Sequence, residues 1–393
     1  LHVALPICWG RTSVPWAHVS RLRSRSDRNP FARMTPGLGP HFFRHEYGRL
    51  VALLARRVGA RHVELAEDAV QAALVAAVES WGKTQAPENP SAWLFRVAQN
   101  HIAGELRLRA RRDALVEAHE SEALLSTAEA SVAFLPGDVP DSLLRMLFVC
   151  CDDAIPVESQ LVFALKTLCG FDIREIAARL FVSEASVYKR LERARNRLRD
   201  TEFLWDEVKV EQLATRLPAV QAVLYTLFTE GYLSSRAEGS IRRELCEEAL
   251  RLGNVLAEHS VGAKPETFAL LALMHLHLAR FTARQDVSGE LLLLEEQDRS
   301  LFDQQRIGLG LSLLARSAHG SSFSRYHAEA GIAAEHCLAP SFADTRWDRI
   351  VECYELLDRL APSVLHTLNR ALAVAELSGP EKGLAVLEGL EPP

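Results

Sequence analysis

The segment 171–200 constrains the fold more than any other part of the chain, because its pattern is that of two short helices joined by a tight turn. One apolar face at helical spacing is predicted for the first helix, formed by Ile173, Ile176, Ala177 and Leu180. Ser183 is placed to cap the second helix, and Glu184 in its first turn suits the helix dipole. The segment therefore predicts a compact helical hairpin with a basic second helix.

The second helix, from Glu184 to Arg199, carries six basic residues against two acidic ones. An apolar seam for packing is formed by Val187, Leu191, Ala194 and Leu198. This layout is typical of a helix-turn-helix, whose second helix enters the major groove of DNA. The alternative is a solvated helix that happens to be basic, but the order of turn, cap and basic helix favours DNA binding.

Length and charge suggest a modular, mostly helical protein. A chain of 393 residues predicts two or three domains. Residues 1–200 carry 27 basic and 23 acidic groups, whereas residues 201–393 carry 18 and 28, so only the first half suits a polyanion. Seven scattered cysteines without a CxxC spacing favour reduced thiols in the cytoplasm, and no run approaches the ~18 apolar residues of a membrane span.

Breaks in composition and periodicity divide the chain. Residues 1–39 predict a disordered basic tail, and we expect the native start at Met34. Helices are predicted over 42–58, 63–81 and 91–112, the last capped by Ser91, followed by a linker at 114–139 and a second helical unit at 140–202.

The rest of the chain, 203–393, is predicted to be helical throughout. We expect its main helical region to start at Pro218, with later breaks at Gly and Pro residues. Helix pairs separated by such breaks favour a stacked α-solenoid, most clearly at 347–378 with its break at Ala361-Pro362. A lone helix near Glu381 would leave an apolar face open, so we expect the C-terminus to be incomplete.

Two helices of the first unit carry candidate binding surfaces. The predicted third helix combines aromatic and basic groups that could stack on unpaired bases and follow phosphates: Trp93, Phe95, Arg96, Asn100, Arg107, Arg109, Arg111 and Arg112. The alternative is that Trp93 and Phe95 belong to the core. The helix before it carries an acidic-polar set, which is either solvated or a docking surface for a basic partner helix: Glu64, Glu67, Asp68, Gln71 and Glu79.

Catalytic patterns are weak, so we expect no enzyme and no cofactor. Adjacent Cys150 and Cys151 are poorly placed to hold one metal and are expected to be buried. His275 and His277 are two residues apart, which puts them on different faces of a helix. The sequence contains no HExxH, no GxSxG and no glycine-rich phosphate loop after a strand.

Taken in the order in which they follow along the chain, these segments resemble the sigma-70 family of bacterial RNA polymerase sigma factors, in its extracytoplasmic-function branch. AEDAVQAALVAAVESW (66–81) is similar to the segment that binds the polymerase clamp helices, and NPSAWLFRVAQNHIAGELRLRARR (89–112) to the segment that reads and melts the promoter −10 element. Residues 141–199, above all SVYKRLERAR (186–195), resemble the −35 reading domain. Segments including VLYTLFTEGY (223–232) and LNRALAVAELSGPEKGLAVLEGL (368–390) resemble a subgroup with a long C-terminal helical extension related to tetratricopeptide repeats.

The resemblance implies an all-α protein: a region 2 helical bundle at 40–113, a region 4 helix-turn-helix domain at 140–202, and a regulatory tetratricopeptide-like extension at 203–393. It implies −35 contacts by Ser183, Ser186, Lys189, Arg190, Arg193 and Arg197. It implies −10 contacts by Trp93, Arg96, Asn100, Arg107 and Arg109, and polymerase contacts by Glu67, Asp68 and Gln71. The implied partners are core RNA polymerase, promoter DNA and a small YCII-like protein, with no membrane.

One position departs from the family pattern, and two other functions stay open. Gly104 stands where many relatives have an Asp, which removes a carboxylate and costs about 1 kcal/mol of helix stability relative to Ala.

The first alternative is a one-component DNA-binding regulator whose solenoid binds a ligand or a protein. It would bind duplex DNA tightly without polymerase. The second is a solenoid adaptor with a degenerate DNA-binding end.

Overall fold

The computed structural model describes residues 40–81, 86–112, 138–180, 182–199, 210–232, 243–286, 290–320 and 322–388. Over these ranges the regular structure is helical, with a single isolated bridge between Gln285 and Leu291 and no strand. The all-α prediction is confirmed. The predicted tail at 1–39 and nearly all of the predicted linker at 114–139 lie outside the described residues. Two compact units are present, divided between Val223 and Leu224.

The first unit begins with three long helices: α1 (Pro40–Val58), α2 (Val63–Trp81) and α3 (Pro90–Arg112), with a 3-10 turn at Ala60–His62 between α1 and α2. Their bounds agree with the predicted helices within two residues. The cap of α3 is not Ser91, because the Asn89 side chain accepts the Ala92 backbone N–H at 3.0 Å. Ser91 lies in the first turn, after Pro90 at a position where proline is favoured.

Four shorter helices complete the part of this unit that carries the helix-turn-helix: α4 (Asp138–Cys150), α5 (Val157–Thr167), α6 (Ile173–Arg179) and α7 (Glu184–Arg199). Phe148, Phe163 and Phe171 are fully buried at its centre. Cys150 and Cys151 are buried free thiols, as expected. Burial raises the pKa of Cys151 to about 12, so this thiol is protonated and inert at neutral pH.

Helix α8 (Val210–Tyr232) spans the division between the units. Pro218 lies inside this helix rather than at its start, and Gly231 lies in its last turn rather than at a break. The predicted start at Pro218 was wrong, because it was read from residue type alone, whereas the predicted break at Gly231 falls one residue before the end of the helix. The helices that follow are α9 (Arg243–Glu258), α10 (Pro265–Ala279), α11 (Gln304–Ser317), α12 (Arg325–Leu338), α13 (Trp347–Leu360), α14 (Val364–Ser378) and α15 (Pro380–Leu387).

Helix α10 is the centre of the second unit, because every residue from Thr267 to Ala279 is buried. It packs against α9, α11 and α12. From α12 onward each helix packs on the next, and the predicted break at Ala361-Pro362 separates α13 from α14. Nearest-neighbour packing is what a stacked array requires, while the identification with tetratricopeptide repeats stays a prediction. None of the helices described in either unit is long and apolar enough to cross a bilayer.

Candidate polymerase and nucleic-acid interfaces

The turn between α6 and α7 is built from local hydrogen bonds. Asp172 caps α6 by accepting the Glu175 backbone N–H at 2.7 Å, and the Glu175 carboxylate accepts the Asp172 N–H at 3.0 Å. Ser183 Oγ accepts the Ser186 N–H at 3.2 Å, which confirms Ser183 as the cap of α7. These caps fix the angle at which α7 leaves the turn, so the helix-turn-helix is set by its own sequence.

Helix α7 has one buried seam and two accessible flanks. Val187, Leu191, Ala194 and Leu198 form the seam that packs into the domain. The predicted DNA-contacting residues are all exposed or half-buried, and most of them recur at three- and four-residue spacing on one flank: Ser183, Ser186, Lys189, Arg190, Arg193 and Arg197. Four cationic side chains and two hydroxyls along one helix flank can pair with guanine edges and phosphates in a major groove.

Helix α3 presents a second surface whose chemistry suits nucleic-acid binding. Arg96, Asn100 and Arg107 are exposed, and Trp93 is half-buried on the same flank. Gly104 lies on this flank too, with no other atom within 4 Å of where a Cβ would stand, so the missing side chain leaves the surface open. The side chain of Arg109 lies outside the described residues. The surface combines one aromatic face with cations, as stacking on an unpaired base requires.

The two aromatic residues of α3 have different surroundings. The Trp93 ring lies 5.3 Å from the ring of Trp81, centroid to centroid, and the residue is half-buried. Phe95 is 5% exposed and is covered by the Arg57 guanidinium at 4.7 Å. Phe95 is therefore a core residue, and of this pair only Trp93 can meet a base.

The acidic face of α2 differs from the prediction at one residue. Asp68 and Gln71 are exposed, and Glu79 continues the same flank. Glu67, however, is 1% exposed. One of its carboxylate oxygens accepts the Thr167 hydroxyl at 2.8 Å, and the other accepts Arg195 Nη2 at 2.5 Å. In this arrangement Glu67 is held by α5 and α7 and is not available to a partner.

Comparison with protein families identifies the domains that carry these surfaces. Residues 43–112 match the family model described as Sigma-70 region 2, which covers α1, α2 and α3. Residues 146–198 match Sigma-70, region 4, which covers the helix-turn-helix. The chain belongs to the sigma-70 family, of the extracytoplasmic-function type. Sigma-70 proteins are transcription initiation factors without enzymatic activity.

Two further matches are to proteins of undetermined role. Residues 216–318 match a model described as Family of unknown function (DUF6596), which covers most of α8 and all of α9 to α11. A protein of Rhizobium meliloti (strain 1021), described as uncharacterized, is 35% identical over 335 residues, 84% of this chain and 78% of the relative. No solved structure matches. This sigma factor therefore carries a long C-terminal extension that follows region 4.

Sequence reasoning missed the role of one arginine in region 4. Arg195 lies on the flank of α7 opposite to the predicted DNA-contacting residues, and its guanidinium reaches Glu64 at 3.2 Å as well as Glu67. Arg199, one turn further, pairs with Glu64 at 3.0 Å. The signal in the sequence was the i, i+4 spacing of these arginines away from the other basic residues.

The extension buries a cluster of cationic and imidazole groups that sequence reasoning did not detect. Arg280 donates to the Gln297 side-chain oxygen at 2.9 Å, and Arg284 donates to the Tyr232 carbonyl at 2.8 Å. His277 lies 4.8 Å from the Tyr232 ring, and burial, followed by the charges of Arg280 and Arg284, holds its pKa well below the ordinary value. The part of the chain that the structure describes contains no group of three metal-ligating side chains, so His275 and His277 have no partners for a metal there.

Proposed function

We propose that the protein is a promoter-specificity factor that binds core RNA polymerase through region 2 and directs initiation at promoters read by both regions. The observation that carries the proposal is the pair of exposed surfaces in the first unit. One is the Trp93–Arg107 flank of α3, and the other is the Ser186–Arg197 flank of α7. Each has the chemistry that its promoter element needs, stacking and phosphate contact for the first and base-edge contact for the second.

Polymerase binding is assigned to the exposed part of α2. Asp68 and Gln71 present an acidic-polar surface to solvent, which suits the basic helices of a polymerase clamp. Glu67 would join this surface only after release from Arg195. Because the partner is the transcription machinery, we place the protein in the cytoplasm.

The C-terminal extension is assigned a regulatory role. Its net charge is negative, since residues 201–393 carry 28 acidic and 18 basic groups, so it does not suit DNA binding. A stacked helical array suits a protein partner, and a small YCII-like protein is the candidate.

The first experiment measures binding of the full chain to core RNA polymerase, with transcription from a candidate promoter scored in the same reaction. Binding together with a defined transcript supports the proposal. Tight duplex binding without polymerase would favour the one-component regulator. A folded protein that binds neither polymerase nor DNA would favour the solenoid adaptor.

A substitution in α7 separates promoter reading from polymerase binding. We expect Arg190→Ala to lower promoter-specific transcription about 10- to 100-fold, since a good base contact contributes ~1–3 kcal/mol. Affinity for core polymerase should stay unchanged. The matched control is Arg174→Ala, because Arg174 lies on α6 outside the predicted DNA-contacting set, with its side chain 85% exposed. A parallel loss of polymerase affinity in the Arg190 variant would contradict the assignment of α7.

A further inference from the structure

Region 4 is docked on Glu64 and Glu67 of α2, beside the exposed Asp68 and Gln71 that the proposed function assigns to polymerase. Glu67 of α2 receives Arg195 Nη2 at 2.5 Å and the Thr167 hydroxyl at 2.8 Å, so both of its carboxylate oxygens are occupied by region 4. Glu64, one turn earlier, pairs with Arg195 at 3.2 Å and Arg199 at 3.0 Å. Two arginines from α7 therefore neutralise two carboxylates of α2.

This docking uses only one side of α7. Arg195 and Arg199 are four residues apart and lie across the buried seam from the Ser186–Arg197 flank. The DNA-facing flank stays exposed while the other flank is held. Docking therefore covers an acidic part of region 2 without covering the −35 surface, which makes polymerase binding the step that it obstructs.

A second contact brings the backbone of region 2 close to the backbone of region 4. At Gly48 of α1, an added Cβ would stand 1.9 Å from the carbonyl oxygen of Leu168, which follows α5. Only a residue without a side chain permits this approach of region 2 to region 4. Beside it, Lys166 lies 5.7 Å from the ring centroid of Tyr47, and Tyr47 is 5% exposed.

We propose that the docking of α7 on α2 is an autoinhibitory clasp, in which Arg195 and Arg199 compete with a basic surface of core polymerase for Glu64 and Glu67. The inference rests on the proposed function, because the competitor is the polymerase. When the clasp is closed, only the open fraction of molecules offers the complete acidic face. The apparent affinity for polymerase is therefore reduced in proportion to that fraction.

The clasp is opened by two unrelated substitutions. Arg195→Glu places a carboxylate against Glu64 and Glu67, and Gly48→Ala forces α1 away from Leu168. Neither residue belongs to the assigned polymerase or DNA surfaces. The matched controls are Arg359→Glu, with the same charge change at an exposed position of α13, and Gly308→Ala, where a Cβ meets no atom of another element within 4 Å.

Two measurements are made on full-length variants. Hydrogen exchange of the amides in α2 and α7 reports whether the clasp is open, without polymerase present. Affinity for core polymerase is measured separately by titration. We expect both clasp variants to exchange faster over 63–81 and 184–199 and to bind polymerase roughly tenfold more tightly, while both controls behave as wild type.

Each other outcome has a distinct meaning. If exchange shows an open clasp in both variants and polymerase affinity does not rise, the docking does not regulate binding and the inference is wrong, while the sigma function stands. If exchange is unchanged in both variants, regions 2 and 4 are not docked in solution and the inference is wrong. If wild type and opened variants alike fail to bind polymerase, the proposed function itself is wrong.

Discussion

The first unit and the centre of the second unit stabilise their buried cations in different ways. In the first unit, carboxylates and guanidinium groups meet directly, as Arg195 meets Glu67 and Arg216 meets Asp152, each at 2.5 Å. At the centre of the second unit, Arg280 and Arg284 instead contact an amide oxygen, a carbonyl oxygen and an aromatic ring. Among the described residues, no carboxylate lies within ion-pair distance of these two.

This difference matters for what a charge change would do. A paired charge leaves its partner uncompensated when it is removed, whereas a cation that contacts only neutral groups leaves no opposite charge behind. The paired charges of the first unit should therefore be costly to remove one at a time. The cluster of Arg280, Arg284 and His277 at the centre of the second unit should be costly mainly when protonation adds a further positive charge to it. Four substitutions test this contrast, from the largest expected effect to the smallest.

The largest effect is expected for Arg216→Met. The side chains of Arg216 and Asp152 are 12% and 10% exposed, so the variant leaves a nearly buried carboxylate without its cation. We expect a loss of about 3 kcal/mol in the free energy of unfolding, measured by urea titration at pH 7. Arg174→Met is the control, with its side chain 85% exposed, and should cost little. A cost below about 1 kcal/mol for Arg216→Met would remove the contrast between the units.

His277→Phe tests the second unit at low pH. Burial, then Arg280, Arg284 and His336, holds the pKa of His277 well below 6.5, so the folded protein binds fewer protons than the unfolded chain under mildly acidic conditions. Stability must therefore fall as pH falls through about 6.5. The variant keeps a ring against Tyr232 and should show a shallower loss of thermal stability between pH 7 and 5.

The control for this experiment is His319→Phe, because His319 is exposed in the same unit. It should leave the pH profile unchanged. The loss in the His277 variant should become shallower but not disappear, because burial also lowers the pKa of His275 to about 4. An unchanged slope in the His277 variant would show that folding does not lower the pKa of this histidine.

Glu230→Gln tests the loss of stability that is expected as pH rises. Burial raises the pKa of Glu230 from 4.5 to about 7, so between these values the folded protein holds a proton that the unfolded chain has lost. Stability from this group therefore falls as pH rises through that window. The variant should match wild type near pH 4.5 and melt at a higher temperature at pH 8. Equal melting temperatures at pH 8 would show that the carboxylate ionises without cost.

The contrast between the units also separates what the sequence could predict from what it could not. Helix positions, the cap at Ser183 and the accessibility of the Ser186–Arg197 flank of α7 follow from spacing and local hydrogen bonds, so they were predictable. Glu67 was not, because its burial depends on Thr167 and Arg195, which are 100 and 128 residues away. Its neighbour Asp68 has nearly the same local pattern and is exposed.

The burial of Arg280 and Arg284 in the second unit was even harder to predict from the sequence. Arg280 directly follows α10 and Arg284 ends the next 3-10 turn, where basic residues are common for reasons of helix polarity. Their burial comes from the packing of Gln297 and Tyr232 around them, which are set by separate segments. Spacing along the chain cannot report contacts of this kind, because each depends on how three elements meet.

The smallest effect is expected for Arg284→Met, the counterpart of Arg216→Met in the second unit. The variant loses the hydrogen bond to the Tyr232 carbonyl and the stacking of the guanidinium, 3.7 Å above the Tyr232 ring. It also removes a desolvated cation, since burial and the nearby Arg280 lower the pKa of Arg284 despite the favourable influence of Tyr232. These contributions oppose each other, so the free energy of unfolding at pH 7 should change by less than about 1 kcal/mol. A loss as large as that of Arg216→Met would mean that a carbonyl and an aromatic ring hold a buried guanidinium as firmly as a carboxylate does. The two units would then differ in the identity of their partners and not in the strength with which they hold charge.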